Sequence, residues 1–135
     1  MSHFDHEKLD AYRAAVEFVG IADRILEHTP PGRAYLKDQL ARAALSVVNN
    51  TAEGAGEFRR SDKARFYRMA CRSATECAGI LDVCRQLELA NEPLRQQGRE
   101  LLLRIVSMLT RLAKTHQRPK SGTGTGTGTG TEAAC

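Results

Sequence analysis

The side chains in this sequence that are best suited to chemistry are basic. One group crowds a short stretch near the middle of the chain, and a second lies closer to its end: Arg59, Arg60, Lys63, Arg65 and Arg68, followed by Arg104 and Arg111. Clustered guanidinium and ammonium groups contact the phosphates of nucleic acids. No aromatic residues interleave with them in the pattern used to stack bases. We therefore predict that these residues bind RNA or DNA through its backbone, with weak sequence preference.

The distribution of charge supports this prediction. The whole chain has a formal net charge of +4. Residues 1–57 carry six Lys and Arg against nine Asp and Glu, whereas residues 58–120 carry fourteen against six. Such a split indicates a basic surface for an anionic partner. Two alternatives remain open, because the same side chains could form a solvated face or dock an acidic partner onto a protein-interaction scaffold.

Catalytic groups are harder to find. Arg111 and His116 have the spacing of the Arg-x4-His pair of the helical HEPN ribonucleases. That chemistry requires a polar residue beside the arginine, where this chain has Leu112, and residues five apart do not share a face of a regular helix. Ribonuclease activity is kept as an alternative only. We expect a protein that is not an enzyme and has no catalytic residues.

Metal and cofactor sites are not indicated either. A di-iron bundle needs inward-facing Glu-x-x-His pairs, which the sequence lacks. The four cysteines include no C-x-x-C pair, so neither a zinc site nor a redox pair is expected. We predict that the protein binds no metal and no cofactor.

Four amphipathic helices are needed to position these side chains, and we expect them at residues 5–28, 36–56, 62–90 and 92–116. In each one, apolar residues recur three or four positions apart. The expected inward rows are Leu9, Tyr12, Val16, Val19 and Leu26; then Leu36, Leu40, Ala43, Val47 and Thr51; then Phe66, Ala70, Ser73, Cys77, Ile80, Cys84 and Leu87; and finally Leu94, Leu101, Ile105, Met108 and Leu112. The pattern predicts an all-α fold.

Local signals predict where these helices begin and end. Gly54 and Gly56 should end the second helix, because glycine takes the left-handed conformation that a helix end needs. Ser61 should cap the third helix. Pro93 should lie in the first turn of the fourth, where its missing N–H costs nothing.

A row of polar side chains lies beside the apolar row of the second helix. Ser46, Asn50 and Glu53 recur at i, i+4 and i+7. A buried amide or carboxylate is costly unless it is hydrogen-bonded. We interpret the row as part of a structural hydrogen-bond network inside the bundle.

The chain is interpreted as one domain followed by a tail. Residues 1–118 make up the helical bundle, and residues 119–135, dominated by five Gly-Thr repeats, are expected to be disordered. No apolar run is long enough to span a membrane, and the first residues lack the pattern of a signal peptide. We therefore expect a cytoplasmic protein without membrane contact.

The second and third helices also carry a family signature. It resembles the signature of the four-helix-bundle proteins encoded in 23S ribosomal RNA intervening sequences, and it extends over about residues 9–113. The matching residues are Gln39-Leu40, Arg42-Ala43-Ala44, Ser46-Val47, Asn50, Ala52-Glu53-Gly54 and Gly56, then Ala70, Ser73 and Glu76. Val48, Thr51 and Arg72 stand where that family usually has proline, isoleucine and glycine.

The resemblance implies an antiparallel up-down-up-down bundle that assembles into a homopentameric ring. It adds Arg42, Ser73 and Glu76 to the expected polar network. A related fold is that of the accessory variability protein of diversity-generating retroelements, which partners a reverse transcriptase and binds nucleic acid. The resemblance therefore implies a non-enzymatic accessory protein associated with ribosomal RNA or with a reverse transcriptase.

Overall fold

The structure is a computed structural model, and it describes residues 5–117. In that range four α-helices pack together and no β-strand occurs, which confirms the all-α prediction. The elements are a 3₁₀ segment at Asp5–Lys8, α1 at Asp10–Ile25, a 3₁₀ segment at Pro31–Arg33, α2 at Ala34–Gly56, α3 at Arg60–Gln86 and α4 at Glu92–Gln117. None of these helices is long and apolar enough to cross a membrane. The predicted Gly-Thr tail at residues 119–135 lies outside the described residues.

The first helix, α1, packs through a different face from the one selected by sequence. Val16 was predicted to face inward but is 46% exposed, and Tyr12 and Val19 are only half-buried. Leu26 of the predicted row is fully buried, but the rest of the row was wrong because its spacing continues through Asp23, which stays in water. The observed row combines Phe18 with small residues that let helices approach closely. Its members are Ala11, Ala14, Ala15, Phe18, Ile21, Ala22 and Ile25.

The second helix buries the whole predicted row, but its glycines act differently from the prediction. The helix continues through Gly56, and no glycine in the described chain has a positive φ. Gly54 instead permits a close helix contact, because a Cβ there would lie 2.8 Å from Cε1 of Tyr67 on α3. The prediction of a left-handed glycine cap was therefore wrong. The buried row is Leu36, Leu40, Ala43, Val47 and Thr51.

The third helix is rotated slightly from its predicted orientation. Phe66, Ser73 and Ile80 of the expected row are half-buried and lie at the edge of the buried face. Burial raises the pKa of the Cys77 thiol to about 12, so this free cysteine stays protonated. The centre of the face consists of Ala64, Tyr67, Ala70, Cys71, Ala74, Cys77, Leu81 and Cys84.

Both ends of α3 differ from the prediction. Arg59 occupies the N-cap position without a side-chain hydrogen bond, so Ser61 is not the cap. At the other end, Glu88 takes a left-handed φ of 57°. The N–H of Leu89 then donates to the carbonyl of Cys84 at 3.0 Å. This is a Schellman ending, in which the left-handed position is usually glycine.

The fourth helix begins with an asparagine cap and buries an arginine. Oδ1 of Asn91 accepts a hydrogen bond from the N–H of Leu94 at 3.1 Å. Arg95 is only 2% exposed, and its guanidinium donates to both carboxylate oxygens of Glu92 at 2.7 to 3.0 Å. This hydrogen bonding lowers the pKa of Glu92. The buried arginine was not predicted, because arginine is rarely buried unless it is paired.

Candidate nucleic-acid interface

Lys63 holds the turn between α2 and α3. Its Nζ donates to the backbone carbonyls of Gly54 at 3.2 Å and Ala55 at 2.8 Å. Carbonyls in the last turn of a helix lack N–H partners, and the helix dipole places partial negative charge there. Lys63 therefore caps α2 in place of the expected left-handed glycine, and it is half-buried.

Arg60 joins the same turn to the end of α4. Its Nη2 donates to the backbone carbonyl of Thr115 at 2.5 Å, while the side chain as a whole is exposed. A cation near the last carbonyls of a helix is stabilising. Because a carbonyl carries no net charge, it is not a counterion for the guanidinium, whose remaining N–H groups can still donate.

Two further arginines lie along the exposed sides of α3 and α4. The Arg65 guanidinium lies over the ring of Phe66, 4.7 Å from the ring centroid. Arg111 donates from Nη1 to Oγ of Ser107, one turn earlier, at 3.1 Å. Both arginines are exposed.

The positive charges of the predicted cations are largely uncompensated. Arg59, Arg68 and Arg104 are also exposed. Ion pairs in the described chain include Arg13 with Asp10, and the buried Arg95 already described. By contrast, six of the predicted cations have no carboxylate partner within residues 5–117: Arg59, Arg60, Lys63, Arg65, Arg104 and Arg111.

The histidine of the Arg-x4-His pair lies at the same end of the bundle. The His116 ring packs against Tyr67, with 5.9 Å between ring centroids, and its buried Nδ1 has no hydrogen-bond partner among the described residues. Burial and the nearby charges of Lys63 and Arg60 lower the pKa of His116. The imidazole is therefore neutral at neutral pH. It makes no hydrogen bond with Arg111.

Most of the described chain matches the model of a known family. The model of the 23S rRNA-intervening sequence proteins covers residues 7–111. The chain belongs to this family. The match confirms the resemblance found in the sequence, and it includes α1 to α3 and most of α4. No curated protein matches the chain.

Part of the family signature forms a hydrogen-bonded polar cluster between α2 and α3. The hydroxyls of Ser46 and Ser73 lie 2.8 Å apart. Nδ2 of Asn50 donates to both the hydroxyl and the backbone carbonyl of Ser46, each at 3.0 Å. All three residues are half-buried. Since the two hydroxyls and the Asn50 amide nitrogen are hydrogen-bonded within the cluster, the cluster contributes to helix packing.

The other three signature residues predicted for this network lie outside it. Arg42, Glu53 and Glu76 are exposed and make no hydrogen bond or ion pair within residues 5–117. Charged groups lose more hydration on burial than a hydroxyl or an amide, and no buried partner of opposite charge is available here. The predicted network therefore narrows to Ser46, Asn50 and Ser73.

Phe58 lies beside Arg59 in the turn between α2 and α3, and it was not among the residues predicted from the sequence. It occupies the turn directly before Arg59 and is 96% exposed. Leu103, another exposed apolar side chain, reaches only 56%. The available signal was an aromatic residue that belongs to no helical apolar row and is followed at once by two arginines.

Proposed function

We propose that this member of the 23S rRNA-intervening sequence proteins is a non-enzymatic, homo-oligomeric adaptor that binds the backbone of RNA or DNA. The binding site is a cationic surface made of Arg59, Arg60, Lys63, Arg65, Arg68, Arg104 and Arg111. The supporting observation is that all of these except Arg68 lack a carboxylate partner within residues 5–117. An uncompensated positive surface attracts phosphate groups and releases their counterions.

The cations contribute in two ways. Lys63 and Arg60 are tied to backbone carbonyls, so they add positive potential at the turn. Arg59 and Arg104 have no side-chain partner within residues 5–117, so their guanidinium groups can bind a phosphate with two N–H donors. Neither contribution reads base sequence, which fits an adaptor with weak sequence preference.

We further propose an up-down-up-down antiparallel arrangement and a homopentameric ring. An apolar groove of about 400 Å³ between α1 and α2 supports self-association. Leu45 lines this groove and is 52% exposed, and Val16 on α1 is 46% exposed. A ring would repeat the cationic surface around its axis, so that several weak phosphate contacts act together.

The proposed setting is cytoplasmic, as an accessory factor of ribosomal RNA or of a reverse transcriptase. A structured RNA carries the regular row of phosphates that such a surface requires. A reverse transcriptase that is already bound to nucleic acid would bring the same kind of phosphate backbone to the pentamer. In both settings the protein would supply binding and no catalysis.

Charge reversal tests the proposal. Replacing Arg59 and Arg104 with glutamate together should weaken binding to a labelled RNA by at least about tenfold near 100 mM salt, because two phosphate contacts become repulsive. Arg42→Glu is the matched control, since Arg42 is also exposed and lies outside the cationic surface. If all variants bind as the wild type does, or if the control is equally weak, the proposed site is wrong.

A protein-interaction scaffold that docks an acidic partner is the second candidate. The apolar groove between α1 and α2 favours it, because protein partners can bury apolar surface. Nuclease treatment of a pull-down separates the two functions. Partners retained after digestion favour the scaffold, whereas partners lost with the nucleic acid favour the adaptor.

Ribonuclease activity is the third candidate, and it is supported by the neutral imidazole of His116, which could accept a proton. Its Nδ1 is buried, and the imidazole ring packs beside Tyr67. We expect no RNA cleavage by the wild type. Cleavage that is lost in His116→Ala would establish the enzyme instead.

A further inference from the structure

We infer that Phe58 directs the cationic surface toward single-stranded nucleic acid, by stacking on an unpaired base while the neighbouring cations hold the phosphates. The inference rests on the proposed function and goes beyond it, because it names the ligand as unpaired nucleotides rather than nucleic acid in general. It also replaces the expectation from sequence that no aromatic residue contributes to binding.

The first observation is that the ring is carried on an anchored turn. Phe58 lies between the end of α2 at Gly56 and the start of α3 at Arg60. Lys63 binds the last carbonyls of α2, and Arg60 binds a carbonyl of α4. Both sides of the turn are thus held by hydrogen bonds. A ring on such a support loses less conformational freedom when it stacks.

The second observation is that Phe58 is the accessible aromatic residue among these cations. At 96% exposure, both faces of its ring are open to solvent within the described chain. Phe66 is half-buried and has the Arg65 guanidinium over its ring. Tyr67 is only 2% exposed. A base could therefore stack on Phe58 but not on the other two.

The third observation is the charge beside the ring. Arg59 follows Phe58 directly, is exposed and has no side-chain partner within residues 5–117. In a nucleotide the base and its phosphate are close together, so stacking on the ring leaves the phosphate within reach of the adjacent cation. In a duplex the base faces are already stacked inside the helix. Only unpaired nucleotides offer both groups to this turn.

Charge also argues against a two-fold contact between this turn and the same turn of a second copy. An isologous contact would place the same turn of two subunits together, and with it the positive charges of Arg59, Arg60 and Lys63. Like charges brought together in this way repel one another. The exposed apolar side chains Val16 and Leu45 lie on α1 and α2 rather than on this turn.

Phe58 variants of the full chain test the inference. Binding is measured by fluorescence anisotropy with a labelled oligouridylate and a labelled RNA duplex, each about 20 units long. Phe58→Ala and Phe58→Leu should weaken single-strand binding about 5- to 100-fold, because a base–aromatic stack is lost. Duplex binding should stay within about twofold, and the salt dependence should be unchanged, since phosphate contacts remain.

Phe58→Trp supplies a direct readout of stacking. The chain contains no tryptophan, so the variant has a single indole at the proposed position. It should retain single-strand binding, and its fluorescence should be quenched by the oligouridylate but not by an abasic strand of equal length. An indole that responds equally to both strands overturns stacking. Thermal midpoints of the variants should match the wild type, because the side chain is exposed.

The outcomes separate the two proposals. If the wild type binds RNA with strong salt dependence but Phe58→Ala binds both ligands equally well, stacking is overturned and the backbone-binding function stands. If the wild type binds neither ligand at low salt, both proposals fall. If Phe58→Ala changes the molar mass found by light scattering, the Phe58 side chain is a contact between subunits. The inference is then overturned.

Discussion

Replacing Gly54 with alanine should destabilise the protein, although alanine is the better helix former. The substitution gains about 1 kcal/mol of helix propensity. The added Cβ, however, would lie 2.8 and 2.9 Å from Cε1 and Cδ1 of Tyr67, and 3.2 Å from Cβ of Phe66. Tyr67 is 2% exposed and has little room to move. Overpacking costs about 1–3 kcal/mol, and contacts this short belong to the upper part of that range.

The expected net loss in the free energy of unfolding is about 1–2 kcal/mol. Gly56→Ala is the matched control, because it makes the same change two residues later, where a Cβ would meet nothing within 4 Å. That variant should gain up to about 1 kcal/mol. Urea denaturation followed by circular dichroism, at one fixed protein concentration, measures both changes. A Gly54→Ala protein as stable as the wild type would refute the close-contact argument.

Three further predictions concern other parts of the structure. Glu88→Gly should raise the free energy of unfolding by about 1 kcal/mol, because glycine avoids the cost of the left-handed conformation, and an unchanged thermal midpoint would contradict this. Ser73→Ala should lower the free energy of unfolding by about 1 kcal/mol, because the hydrogen bond to Ser46 is lost. The exposed control Glu76→Gln should change this free energy by less than about 0.5 kcal/mol. The pKa of His116 in the folded state lies below its usual 6.5, so the unfolded chain binds more protons and stability should fall as pH drops through 6.5 toward the folded pKa. Urea denaturation across this pH range should show that the stability of His116→Gln depends less on pH than that of the wild type. An unchanged pH dependence of stability would contradict the lowered pKa of His116.

The helices themselves could be predicted because their apolar residues have strong periodicity. The row in α2 was correct, since Leu36, Leu40 and Val47 are large and evenly spaced. Apart from Leu26, the predicted face of α1 was wrong because the buried alanines at positions 11, 14 and 15 carry little hydrophobic signal of their own. Their importance comes from the neighbouring helices, which approach closely where side chains are small. That information is not local to the α1 sequence.

The candidate site was predictable in composition but not in its detailed contacts. Charged side chains usually remain in water. The prediction that most of the basic residues lie on the surface was therefore correct. Sequence alone could not show that Lys63 and Arg60 bind carbonyls of α2 and α4, because those contacts depend on how the helix ends meet. The same reason explains why Gly54 was misread. Its role depends on Tyr67, which belongs to another helix.

The most direct test of the central claim is the salt dependence of RNA binding by the wild-type protein. If the six cations without a carboxylate partner each neutralise one phosphate, the logarithm of the association constant should fall against the logarithm of salt concentration with a slope of about −4 for a single strand and about −5 for a duplex. Affinity should then drop by about two to three orders of magnitude between roughly 50 and 200 mM salt. A slope near zero, or no binding at the lowest salt concentration, would contradict the assignment of this surface to nucleic acid.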